Sequence, residues 1–133
     1  MNNQRFIIST VAVFAFLVAY SMAVHGHLMM PFYLEFQQLW RPQESMDQMH
    51  VWGLAADLAL AAAIAWLYTR HYEGKGLQEG VRFGLYVGVI MGLMQFMTYI
   101  YMPISLNLAL AWFAVYVVQG LGAGIILSLV YKA

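Results

Sequence analysis

The stretch from Gly84 to Met102, GLYVGVIMGLMQFMTYIYM, constrains this chain more than any other. It carries no charge and places Gly84, Gly88 and Gly92 four residues apart. On an α-helix, positions 84, 88, 91, 95, 98 and 102 share one face, so the glycines allow a neighbouring backbone to approach and Gln95 and Thr98 follow on the same side. About twenty apolar residues match the hydrocarbon thickness of a bilayer. The stretch therefore reads as a membrane helix with one protein-facing side.

Composition supports that reading over the whole length. Of the 133 residues, 63% are hydrophobic and 9% charged, well beyond the apolar share of a soluble domain. Six basic side chains balance six acidic ones, which gives no electrostatic footprint for nucleic acid. There is no cysteine, which excludes disulfides, thiolate metal sites and cysteine nucleophiles.

Three further apolar segments complete an all-α, four-helix transmembrane bundle in a single domain of residues 1–133. The predicted helices are 6–24, 46–69, 82–101 and 108–131, with an outer loop 25–45 and a cytoplasmic loop 70–81. Arg5, the first apolar run and Ser21-Met22-Ala23 imitate a secretory leader, but the run is long for one. In the outer loop, Pro31 and Pro42 bracket FYLEFQQLWR. Phe32, Phe36, Leu39 and Trp40 fall on one helical face there, away from Glu35, Gln37 and Gln38, which predicts an interfacial helix. On the second span Ala55, Ala59 and Ala63 form a small-residue stripe suited to receive Gly84, Gly88 and Gly92. Gly120 and Gly124 mark a further packing face on the fourth.

Basic residues in short loops set orientation. Arg5, Arg70, Lys75, Arg82 and Lys132 fall on one side of this topology and Arg41 alone on the other. Both termini are therefore expected in the cytoplasm, and residues 25–45 on the opposite side.

Two polar constellations stand out. An acid within a span is costly, and Asp57 shares a stripe with Met46, His50 and Gly53. With Ser21, Gln95 and Thr98 at comparable depth it predicts a polar pocket in the outer half of the helices. The plainer reading makes Asp57 one satisfied packing contact, and Gln95 and Gln119 packing hydrogen bonds. The second constellation is His25, His27, Met29 and Met30, with Met46, Met49 and His50 beyond them and Glu35 nearby. Imidazole and thioether together suit copper or another transition metal. His25 and His27 diverge by about 200 degrees on a helix but point the same way in an extended segment. Convergence of all three imidazoles therefore requires the chain to be extended after the first span. No fixed ligand spacing supports the site, so histidines at the interface without metal are the plainer reading. A bis-histidine haem between His25 and His50 is a remote variant. Met91, Met94 and Met97 spiral around their helix and read as packing.

No phosphate-binding loop, dinucleotide fingerprint, nucleophile elbow or paired intramembrane carboxylates occur, so an enzyme is not expected. Glu73-Gly74-Lys75, followed by Gly80-Val81-Arg82-Phe83-Gly84-Leu85, resembles a pattern in small bacterial four-span inner-membrane proteins of uncharacterised function. The resemblance implies a bacterial inner-membrane bundle and no active site. The first functional expectation is a structural or accessory protein that forms a homo-oligomer, or joins a larger membrane complex, through its glycine and alanine faces. The second is a protein that binds or transports a metal or small ligand, its outer pocket lined by His25, His27, His50, Asp57 and Gln95.

Overall fold

The structure is a computed structural model that describes residues 2–132. Among those residues it is all-helical, with 85% helix and no strands. Four helices are long and apolar enough to cross a membrane. Helix α1 (Asn3–Ala23) continues into a π-helical turn, Val24–Leu28. A short α2 (Met30–Leu34) and a 3-10 turn (Gln37–Leu39) lead to α3 (Gln43–Arg70). Helix α4 (Leu77–Phe96) ends in a 3-10 turn (Met97–Ile100), and α5 (Leu106–Val130) completes the chain.

The helix starts follow from capping chemistry. The Asn2 side chain accepts the Arg5 N–H at 3.1 Å, and Ser105 accepts the Leu108 N–H at 3.2 Å, each satisfying a donor with no partner inside its helix. Pro42 precedes α3 with extended backbone. Gly74 and Gly76 take φ of 75° and 65°, values that a side chain disfavours, and so turn the chain sharply from α3 into α4.

Helix α4 packs along α5, α1 packs on both α3 and α5, and α3 touches α5 only lightly. The α4 and α5 pair is built on glycine. A β-carbon on Gly88 would lie 2.7 Å from the Val117 carbonyl oxygen, and one on Gly92 would lie 2.8 Å from that of Phe113. Gly84 and Gly80 lie in the same way against Gly120 and Gly124. Without a hydrophobic driving force in lipid, this backbone-to-backbone packing is what can hold two such helices together.

One expectation is overturned here. Ala55, Ala59 and Ala63 do not receive the glycine face of α4; all three are exposed, and α3 buries Ala61, Ile64, Ala65 and Tyr68 instead. The glycines find Gly120 and Gly124 because a glycine pair allows closer approach than a glycine and an alanine.

Two apolar clusters fill the interior. One joins Val13, Leu17, Ile64, Tyr68, Leu127 and Tyr131. Asn2 N–H reaches the Tyr131 hydroxyl at 3.4 Å, and the Tyr131 ring meets Tyr68 and Tyr72 edge-on. The two ends of the chain and the turn from α3 to α4 therefore meet at one end of the molecule. The other cluster holds Val24, Met29, Ile104, Leu108 and Trp112, and the segment after α1 packs over it. Instead of one continuous helix, that segment forms short turns. Phe32, Phe36, Leu39 and Trp40 are half-buried against the cluster, and Glu35, Gln37 and Gln38 are exposed.

A candidate aromatic ligand pocket

The π-helical turn sets up the site. Its widened winding carries the end of α1 over the start of α5, turning His25 inward, where it is half-buried, while His27 stays exposed. Helix α2 begins at Met30 with Pro31 in its first turn, and it brings Tyr33 onto the His25 ring, the two planes stacked at 6.0 Å and 10°.

A chain of hydrogen bonds joins the parts. Trp112 Nε1 donates to the Tyr33 hydroxyl at 3.0 Å, and that hydroxyl lies 2.5 Å from His25 Nδ1. Indole can only donate, so the Tyr33 oxygen accepts from Trp112, and its second lone pair can take the Nδ1 hydrogen of His25. With the hydrogen on Nδ1, the imidazole donates to the Tyr33 oxygen and its Nε2 carries a free lone pair. Trp40 Nε1 donates to the Tyr33 carbonyl at 3.0 Å, and the Trp40 and Trp112 rings meet edge to face at 6.4 Å. Burial pushes the Tyr33 phenol above its ordinary pKa, with the Trp112 N–H opposing and Tyr116 reinforcing the rise, so the hydroxyl keeps its proton at neutral pH.

These groups wall a cavity of about 430 Å³ lined by His25, Met30, Tyr33, Trp40, Gln43, Met46, Gln95, Trp112 and Tyr116. Among the described residues no carboxylate, lysine or arginine lines it. Gln43 is held aside, its amide donating to Asp47 at 2.8 Å. With both indole N–H groups committed to Tyr33, the tryptophans offer the cavity ring carbon rather than a donor.

The polar pocket expected around Asp57 is not assembled in that form. Gln95 lines the cavity, but Asp57, Ser21, Thr98 and Gln119 do not. Asp57 is half-buried on α3, within electrostatic reach of Tyr116. Thr98 donates to the Gln95 carbonyl at 2.8 Å, within its own helix turn. Gln119 is buried on α5 with its side-chain oxygen unpartnered, at variance with the packing hydrogen bond expected of it.

The convergence of His25, His27 and His50 also fails. The residues after α1 are wound in a π turn, not extended, so His25 and His27 part; His27, His50 and Glu35 are all exposed. Among the described residues no three His, Cys, Asp or Glu side chains gather as a metal site. Of the sequence candidates, His25 and Met46 do meet, in the aromatic cavity.

Sequence reasoning missed Tyr33, Trp112 and Tyr116. A usable signal was present: a buried Trp or Tyr needs a partner for its N–H or O–H, and Trp112 sits in an apolar run that offers none.

At the opposite end, a second cavity of about 480 Å³ lies between α3 and α4, lined by Leu67, Tyr68, His71, Glu79, Arg82 and Phe83 among others. Glu79 is 3% exposed, and its two carboxylate oxygens accept the N–H groups of Glu73 at 2.9 Å and Lys75 at 2.8 Å. The Tyr68 hydroxyl lies close to this carboxylate but not in hydrogen-bonding geometry. Glu79 thus serves the turn, and the resemblance pattern around Glu73, Gly74, Lys75 and Gly80 describes that turn. Comparison with protein families, with curated proteins and with solved structures finds no match to this chain.

Proposed function

We propose that this protein is a multi-pass protein of the bacterial inner membrane, a four-helix bundle that binds a small ligand in the aromatic pocket at its outer end. One observation carries the reading. The Trp112–Tyr33–His25 hydrogen-bond chain draws three separated segments together around a cavity of about 430 Å³, apolar with a few placed polar groups, as ligand sites are.

The orientation rests on charge. Arg5, Arg70, Lys75, Arg82 and Lys132 lie at the end where the termini meet, against Arg41 at the other, and an excess of basic residues favours the cytoplasm. On that placement the short turns between Met30 and Leu39 lie at the outer interface, with tryptophan and tyrosine at headgroup level.

The test is native mass measurement of protein extracted in mild detergent. A bound small molecule or ion is expected on the wild type and absent from Trp112→Leu. Identical masses after subtraction of the substitution would count against the pocket.

A second reading, an accessory subunit or homo-oligomer, is favoured by the exposed Ala55, Ala59 and Ala63, a face left open once α5 has taken the glycines of α4. The same measurement distinguishes it. An oligomer that Ala59→Trp dissociates supports the reading, and a strictly monomeric particle removes it.

A further inference from the structure

We propose that the aromatic pocket is a site for one copper(I) ion, bound by the imidazole Nε2 of His25 and the thioether sulfurs of Met30 and Met46. This deepens the ligand-binding reading above and rests on it.

The donor set comes first. The cavity joins one imidazole to two thioethers from three separate elements: the π-helical turn, α2 and the first turns of α3. No carboxylate lines it, so it is poorly suited to magnesium, calcium or manganese, which take hard oxygen ligands. Zinc sites draw on thiolate, imidazole and carboxylate, and only one imidazole is present here. Thioether with imidazole is a soft, neutral set, which selects the reduced, singly charged copper ion. A single charge is also the least costly to bring into an apolar wall.

The orientation of His25 comes second. A ligating histidine commonly has its other ring nitrogen held by a polar partner, which fixes the ring. His25 Nδ1 lies 2.5 Å from the Tyr33 hydroxyl oxygen, itself fixed by Trp112; an Nδ1–H donated to that oxygen leaves Nε2 unprotonated and available to a metal.

The contrast among neighbouring methionines comes third. Met29 is 3% exposed and packs in the apolar cluster, whereas Met30 and Met46 are 42% and 41% exposed and line the cavity. Both side chains therefore border the cavity without the fold opening. Trp40 and Trp112, their N–H groups engaged elsewhere, add ring faces that attract a cation.

The test uses the full chain in detergent, without oxygen, competing for copper(I) against a chromophoric chelator. One ion per chain is expected, with quenching of tryptophan emission. Met30→Leu and Met46→Leu, which conserve volume, should each weaken uptake at least roughly tenfold, and Tyr33→Phe should weaken it about 10- to 100-fold through the loss of ring orientation. His27→Ala and His50→Ala should leave it unchanged. Failure to draw copper(I) from the chelator overturns the proposal, as does uptake that survives the double Met30→Leu/Met46→Leu change or vanishes with His27→Ala. If copper(I) does not bind while an organic adduct is lost in Trp112→Leu, the copper assignment falls and the pocket stands. If neither is found, both fall.

Discussion

Gly84 of α4 lies directly on the backbone of Gly120 in α5. A β-carbon there would strike the Gly120 carbonyl and reach 3.0 Å from the Leu121 Cα. Both obstacles are main chain, so no side chain can swing aside. Gly84→Val is expected to destabilise the protein by about 1–3 kcal/mol through overpacking, with a larger loss if the two helices part. Gly53→Ala, whose β-carbon meets nothing within 4 Å, is the control, expected to be neutral or stabilising by up to about 1 kcal/mol. Unfolding in mixed micelles with increasing SDS would measure both. Equal effects at the two positions would mean that α4 and α5 are not held by this contact.

Tyr33 is the only group that Trp112 Nε1 and His25 Nδ1 share. Tyr33→Phe keeps the ring and removes the hydroxyl, leaving the buried Trp112 N–H and the half-buried His25 Nδ1 without partners. A loss of about 1–3 kcal/mol is expected, the cost of an unsatisfied buried polar group. Trp112 emission should shift as its N–H is freed. Unchanged stability and emission would show that water replaces the hydroxyl on both sides.

The sequence carried the four helices long and apolar enough to cross a membrane, because apolar length is a local quantity. It also carried the glycine face of α4, since spacing of four is visible on one helix. It could not say which partner that face meets. Ala55, Ala59 and Ala63 offered a stripe of similar period to Gly120 and Gly124, and the choice is made by how closely two backbones approach, a property of the pair. The histidine reading failed for another reason: a π turn at Val24–Leu28 changes the angle between His25 and His27, and no residue pattern announced it. Glu79 falls in the charged, glycine-rich connection predicted as the loop 70–81, yet the fold buries it on the backbone N–H groups of its own turn.

That carboxylate is open to a direct test. Glu79→Ala removes the acceptor for both the Glu73 and Lys75 N–H groups. Hydrogen bonds to a charged group contribute about 1.5–3 kcal/mol each. The turn between α3 and α4 should become a site of rapid proteolysis and amide exchange, while α5 and the aromatic pocket keep their protection. Glu79→Gln, which retains one carbonyl oxygen, should fall between. If the turn stays protected in Glu79→Ala, the positive-φ glycines alone hold its shape.

The pH response of the same turn follows from Glu73. Its carboxylate lies 2.5 Å from Lys75 Nζ and 2.6 Å from an Arg82 nitrogen. The Lys75 hydrogen bond, with the charges of Arg82 and Lys75, holds its pKa below the ordinary glutamate value despite some opposing desolvation. The folded value is the lower one, so the stabilisation is present above the ordinary glutamate pKa and is lost as pH falls through the folded value. The group is exposed, so the effect is local to the turn and weakened by salt. A spin label at Gln78 should gain mobility as pH is lowered below the ordinary glutamate range, and molar salt at neutral pH should mimic the change. Glu73→Gln should be mobile at every pH, because its amide cannot titrate. A label that responds to pH equally in Glu73→Gln would assign the transition to another carboxylate.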